Sequence, residues 1–365
     1  MKKLKIAILF GGKSTEHEVS LQSAKNIITA IDKEKYEITL IGIDKKGQWF
    51  LCDPKDYLVN EHNPREIKLK HTGIAVVFQM GKSAEQLLCF AEKSYTKSID
   101  VVFPILHGAY GEDGTVQGLL KLANLPCVGP SLLGSGIGMD KDVTKRLLRD
   151  AGIPIAKCLT FHQWEQKDIN IETVVEELGL PIFVKPANLG SSVGISKVKK
   201  REQFLGAIQE AFSFDHKIVI EECIEGQEIE CAVLGNESPI ASALGAVIPQ
   251  QEFYSYAAKY IDEKGADIQI PAEISCEVVT VVQELAIKAF QVLCCEGMAR
   301  VDFFVTKENK VFINEINTIP GFTKISMYPK LWDFSGVSYV ELIDKLIQLA
   351  LERSKREGQI QNSYE

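Results

Sequence analysis

The segment ARVDFFVTKENKVFINEINTIPG, residues 299–321, sets two apolar runs on either side of a polar turn, Lys307-Glu308-Asn309-Lys310. Hairpin rules favour Glu308 and Asn309 as the two turn residues. That predicts 306 facing 311, 304 facing 313, 302 facing 315 and 300 facing 317. Side chains along a strand alternate faces, so Arg300, Asp302, Glu315 and Asn317 share one face at the open end. Two carboxylates then lie opposite each other, roughly 5 Å apart between Cβ atoms, where like charges destabilise the pair. Something positive belongs between them: either Arg300 or a bound cation. Oxygen donors with no His or Cys nearby select Mg²⁺ or Mn²⁺ rather than zinc. Any one of these charges could mark a solvated hairpin end. Three oxygen donors and an arginine on one face point instead to a metal–phosphate site.

The chain around this hairpin is 365 residues long, enough for two or three domains. It is 45% hydrophobic and 25% charged, as globular proteins are. A net charge of −8 argues against nucleic acid as a partner, while leaving room for local basic pockets. The nine cysteines are odd in number, scattered and free of any C-x-x-C. They read as reduced thiols of a cytoplasmic protein. The start, MKKLKIAILFGG, is basic and then apolar, but Ile6 to Phe10 is too short for a signal peptide and fits a first strand. No run approaches the roughly 20 apolar residues of a membrane helix, so no membrane partner is expected. There is no internal repeat, and the polar tail SKREGQIQNSYE is expected to fray.

Up to about residue 125, apolar runs alternate with helix-like segments. Strands are predicted at 5–10, 37–43, 73–79 and 100–106, with helices at 19–32 and 114–123. This alternation predicts a doubly wound, Rossmann-like parallel sheet, whose ligands gather at the carboxyl ends of the strands. Two loops in that position, GGKSTEHEVS and HGAYGEDG, are rich in polar groups. Next, a helix beginning near Met139 stops at Gly152 before Pro154. A strand (155–161), a helix (170–178), strand runs at 181–185 and 193–198, and a helix at 201–213 follow. Then come KIVIEECIEGQEIECAVLG, read as two strands about a short acidic turn, and helices at 277–294 and 338–353 flanking the opening hairpin. The chain divides into 1–128, 129–216 and 217–365, α/β in the first portion and α+β in the other two.

Ala7 to Ser14 fits a relaxed P-loop pattern, with Ala for the first glycine. Ala7 to Phe10 belong to the strand, however, and two glycines are too little loop to cradle phosphates. VKPANLGSSVGISK, 184–197, is a better phosphate binder: small residues with bare N–H groups lie between two strand runs, and Lys185 supplies a point charge. Taken alone, the loop could equally be a tight hairpin turn.

The order of these parts resembles the ATP-grasp superfamily. Within it, GGKSTEHEVSLQSA (11–24), HGAYGEDGTVQG (107–118), GMDKDVTKRLL (138–148), KPANLGSSVGISK, FYSYAAKY (253–260) and NEINTIPGFTKISMYP (314–329) resemble the D-alanine–D-alanine ligase family. The likeness runs from about residue 4 to 350. It implies a Rossmann-like N-terminal domain followed by a two-lobed ATP-grasp fold. It also implies the joining of two D-alanines through an acyl phosphate, for cell-wall precursor synthesis. ATP and two Mg²⁺ (or Mn²⁺) ions are implied, as is a cytoplasmic homodimer.

By the same resemblance, Lys141 and Lys185 would contact the phosphates, Ser191 and Ser192 would close over them, and Lys259 would reach the terminal one. Glu221, in the acidic pair with Glu222, would hold the adenine together with the backbone near Ile224, and Glu228 the ribose. Asp302, Glu315 and Asn317 would hold the ions. Glu16, helped by His107, would orient the first ammonium, linked to Ser191 and Tyr260. Arg300 and the Gly321 N–H would stabilise the oxyanion, and Ser326 with Met327 would receive the second carboxylate. Each has a plainer reading. Glu16 could cap the following helix, His107 could be a turn residue, and Tyr260 could be core. Ala257 stands where many members carry an acid, and Ile325 where others have His. Three rivals stand beside this reading: another ATP-grasp ligase, a nucleotide-binding regulatory module, and the P-loop.

Overall fold

The computed structural model describes residues 3–249 and 266–361. Three principal sheets stand in chain order. The first has seven strands, and only its core is parallel: Leu4–Gly11 lies between Tyr36–Ile43 and Val101–Ile105. Beyond Tyr36–Ile43 the sheet continues as an antiparallel meander through Trp49–Cys52, Ala75–Phe78, Leu87–Phe90 and Tyr95–Lys97. The Rossmann-like portion is thus three parallel strands. The run at 73–79 joins as an antiparallel strand because no crossover helix separates it from its neighbours. Every residue of Val101–Ile105 is buried, as expected where both faces of a parallel strand are covered.

The middle sheet is antiparallel, in the order Cys158–His162, Lys217–Glu222, Ile182–Pro186, Ser196–Val198. The strand Lys217–Glu222, which a division at 216/217 assigns to the last portion, therefore lies inside this sheet. It and Gln227–Gly235 do not form a hairpin: the second strand enters the third sheet, between Ile240–Pro249 and Gly297–Val305. The four residues 223–226 link the two sheets.

The helix predicted from Met139 is two helices, Leu132–Met139 and Lys141–Asp150. Asp140 separates them and caps the second, accepting from the N–H groups of Asp142 and Val143. Three glycines hid the first from a propensity reading. Gly138 is needed there because a Cβ would come within 2.6 Å of the Thr318 methyl group. The last helix runs Tyr339–Glu357, so Ser354 to Glu357 of the tail expected to fray are helical. Arg356 in its final turn pairs with Glu296 and Glu237.

The opening hairpin, Gly297–Val305 with Val311–Asn317, keeps the predicted pairs 300↔317 and 302↔315, but 304 faces 312 and 305 faces 311. The turn has three residues, with Asn309 at φ +60°, and a bulge at Asn314 restores the register. In a bulge-free ladder Ile313 would face outward and Asn314 inward. The bulge lets Val311 and Ile313 enter the core while Asn314 and Glu315 both face outward.

Candidate active site

A cleft of about 520 Å³ lies between the middle and third sheets, within the range of small-molecule sites. The link residues Cys223 and Ile224, the loop 189–192 and the hairpin face all line it. Its apolar walls include Phe183, Ile195, Val247 and Phe304, a surface suited to a flat ring.

At the hairpin end three acids lie in a row across three strands, Glu230 opposite Asp302 and Asp302 opposite Glu315. Arg300 holds this row together. Its Nε and Nη2 donate to the two Asp302 oxygens at 2.7 Å each, and Nε lies 2.9 Å from Glu230. Asn317 Nδ2 donates to Asp302 at 2.9 Å, and Lys141 Nζ lies 3.5 Å from Glu315. Of the two readings of the opening hairpin, the one with Arg300 is thus met: protein cations already offset the carboxylates. Among the described residues no cluster of three or more His, Cys, Asp or Glu has metal-holding geometry. Two carboxylates and an amide fit Mg²⁺, which usually takes one or two protein carboxylates and fills its remaining positions with phosphate oxygens and water.

Lys141 also donates to the Leu189 carbonyl at 2.6 Å, so one ammonium joins the hairpin to the loop. Lys185 Nζ contacts Glu221 at 3.0 Å and Asn314 at 3.4 Å. Burial works against its charge, but Glu221 and then Glu315 outweigh it and hold the ammonium above the ordinary lysine range. Burial likewise pushes the Glu221 carboxyl up, and Lys145 and Lys185 together bring it below its usual range. Glu228 and Ile224 line the cleft as expected, as does Glu222, which accepts the Lys157 N–H at 2.6 Å.

The loop tip is strained: consecutive Ser191 and Ser192 adopt φ of +53° and +59°. Ser191 Oγ donates to the Glu16 carboxylate, bringing the first and middle portions together. Glu16 sits at the N-terminus of the helix His17–Ala30 yet makes no side-chain cap, which removes the plainer reading of this residue. Gly108 separates two carboxylates here. Its N–H donates to Glu112 at 2.6 Å, its φ is +73°, and a Cβ would lie 2.6 Å from Glu16 Oε2. Burial, then Glu16, pushes the Glu112 carboxyl up to about 8.

His107 is 4% exposed, and burial pushes its pKa down to about 4. Nδ1 donates to the Ile319 carbonyl at 3.1 Å, which leaves Nε2 to accept from Ser23 at 3.2 Å. Its ring nitrogens thus hold the segment before Gly321, and any help to a ligand would be indirect. Ser326 is the N-cap of the helix Met327–Phe334 without a side-chain cap of its own; its hydroxyl accepts the Thr323 N–H at 2.9 Å. The Met327 side chain is buried against Gly245, so only its backbone can face a ligand. Lys259 and Tyr260 lie outside the described residues.

Sequence reasoning passed over Glu112, Lys145, Glu230 and Asn314. Lys145 follows Lys141 by four residues on one helix face, a readable signal. Glu112 lies in the quoted HGAYGEDG segment. Glu230 needed the strand order, and Asn314 needed the bulge.

Two family models match the chain: the D-ala D-ala ligase N-terminus over residues 5–130 and the D-ala D-ala ligase C-terminus over 147–348. A D-alanine--D-alanine ligase of Oceanobacillus iheyensis is 55% identical over 363 residues, covering 100% of this chain and 99% of the relative. D-alanine--D-alanine ligase A of Escherichia coli is 53% identical, covering 97% of each. The solved D-alanine-D-alanine ligase from Coxiella burnetii superposes with a TM-score of 0.86 at 41% identity, covering 98% of this chain and 97% of that one. The VanG D-Ala:D-Ser ligase of Enterococcus faecalis gives 0.84 at 36% identity, covering 96% and 100%. With its parallel-cored first sheet, its cleft between two antiparallel sheets and these likenesses over its whole length, the chain belongs to the D-alanine–D-alanine ligase family.

Proposed function

We propose that the chain joins two D-alanines at the expense of ATP, making D-alanyl-D-alanine for peptidoglycan precursors. One observation carries this reading: Lys141, Lys185 and the Asp302–Glu315 pair converge on a single cleft, over which Ser191 reaches to Glu16.

The adenine lies between Phe183 and Phe304 beside Ile224, the ribose at Glu228, and the phosphates run toward Lys141 and Lys185. Asp302, Glu315 and Asn317 would hold two divalent ions, Mg²⁺ or Mn²⁺. When bound, the ions offset phosphate charge and orient the triphosphate. Glu16 binds the ammonium of the first D-alanine, and the carboxylate of that D-alanine attacks the γ-phosphorus; the phosphorus–oxygen bond to ADP breaks and D-alanyl phosphate forms. This step is mostly positioning and charge spreading. The amine of the second D-alanine then attacks the carbonyl, and phosphate leaves. Arg300 and the Gly321 N–H face the developing oxyanion. Ser326 and the backbone at Met327 take the second carboxylate at a helix N-terminus. The loop 189–192, with Lys259 and Tyr260, keeps water from the acyl phosphate. Met327 after Ser326, together with Tyr260, favours D-alanine at the second position over D-lactate or D-serine. We place this homodimeric enzyme in the cytoplasm, in keeping with its nine free thiols.

The test is ADP release with Mg²⁺ and each amino acid in turn. D-Alanine is expected to release ADP, L-alanine to release none, and D-serine or D-lactate to support a small fraction. Equal release with L-alanine, or none with D-alanine, overturns the reading.

A further inference from the structure

We propose that Lys145, which does not line the cleft, is a positioning residue for nucleotide binding: it fixes the Glu221 carboxylate and, through it, the Lys185 ammonium. The proposal rests on the nucleotide lying in this cleft. Lys145 and Glu221 are each 2% exposed, and each Glu221 oxygen serves one lysine. Oε1 lies 3.3 Å from Lys145 Nζ and Oε2 lies 3.0 Å from Lys185 Nζ. Among the described residues neither Lys145 Nζ nor Glu221 Oε1 makes a hydrogen bond, so the two are held to each other by charge.

A fully buried ammonium is costly, and an apolar side chain would commonly serve packing as well or better. A single Lys185–Glu221 pair would already be neutral. Lys145 makes the trio carry a net positive charge in the interior, an arrangement that favours a polyanion at its open end. The lever is short. Lys145 stands on the helix Lys141–Asp150, whose first residue reaches Leu189 and Glu315. Lys185 continues to Asn314 on the bulged strand. Three elements that meet the phosphates thus register on one carboxylate.

The experiment titrates the full chain with Mg²⁺–ATP by calorimetry, alongside steady-state kinetics. Lys145→Met is expected to raise the ATP Kd about tenfold while the D-alanine KM stays within about twofold. In a Glu221→Gln background the same change is expected to add less than about twofold, because Lys145 acts through that carboxylate. Lys145→Gln, which keeps an uncharged donor one bond shorter, serves if Lys145→Met fails to fold, with ATP binding weakened at least about threefold. An unchanged ATP Kd in a folded Lys145 variant overturns the proposal, as does an equal loss in both backgrounds. Unmutated protein that takes up no Mg²⁺–ATP overturns the nucleotide reading itself; uptake with an indifferent Lys145 variant overturns only this inference.

Discussion

Two carboxylate pairs stand at opposite ends of the active site and meet their repulsion differently. Asp302 and Glu315, facing each other across a hairpin, have Arg300 on one and Lys141 on the other. Glu16 and Glu112 flank Gly108, where a hydroxyl and a backbone N–H are donors, and the Glu112 carboxyl answers by holding its proton up to about 8. The first pair is offset by charges that the protein keeps, and on the proposed function dications bearing phosphate would join them. The second keeps a proton on Glu112, which on the proposed function the ammonium of the first D-alanine would displace. Identical functional groups thus meet their repulsion with fixed cations at one end and with a held proton at the other.

The largest effect should come from the hairpin pair. Glu315→Gln is expected to lower kcat by about 10²–10³ and to require more Mg²⁺ for half-maximal ADP release; unchanged metal dependence would remove the contrast between the pairs. A smaller change is expected at the other end. Glu112 keeps a proton that an unfolded chain would have released above the ordinary carboxylate range, so the folded state binds more protons between there and about pH 8, and stability falls as pH rises through that window. Glu112→Gln should flatten that decline in thermal melts. It should also flatten the rise in apparent D-alanine affinity as pH climbs toward about 8, at most about tenfold per unit in the unmutated enzyme before it levels off. The smallest effect concerns Lys13, whose ammonium rests 5.6 Å from the Tyr110 ring centroid. Lys13→Ala should alter the ATP and D-alanine KM by less than about twofold. A severe loss would mean that Lys13 serves the site directly, as the P-loop reading requires.

How much of this could be read beforehand depends on how local its cause is. The pairs 300↔317 and 302↔315 followed from alternation and turn rules near one short segment. The tip differed because the turn takes three residues, and the bulge answers to core packing of Val311 and Ile313, which no hairpin rule contains. The parallel core around Leu4–Gly11 followed from its apolar runs. The antiparallel meander did not, since the short strands Leu87–Phe90 and Tyr95–Lys97 are specified by neighbours rather than by their own pattern. Strand order also concealed Glu230 beside Asp302, for register within one hairpin says nothing of the strand on its other side. Family likeness supplied Glu16 and Ser191 as partners across 175 positions of chain, a contact beyond the reach of periodicity.

The bulge at Asn314 has a consequence for how this rim could be altered. An unbroken ladder offers a ligand every second side chain, whereas this one presents two consecutive oxygen-bearing residues, 314 and 315, from a strand still anchored by its apolar neighbours. The extra residue in the turn and the extra residue in the bulge offset each other. Deleting one of each should preserve the 302↔315 pairing while withdrawing the adjacent amide, so that chemistry at the rim and folding of the ribbon become separately adjustable.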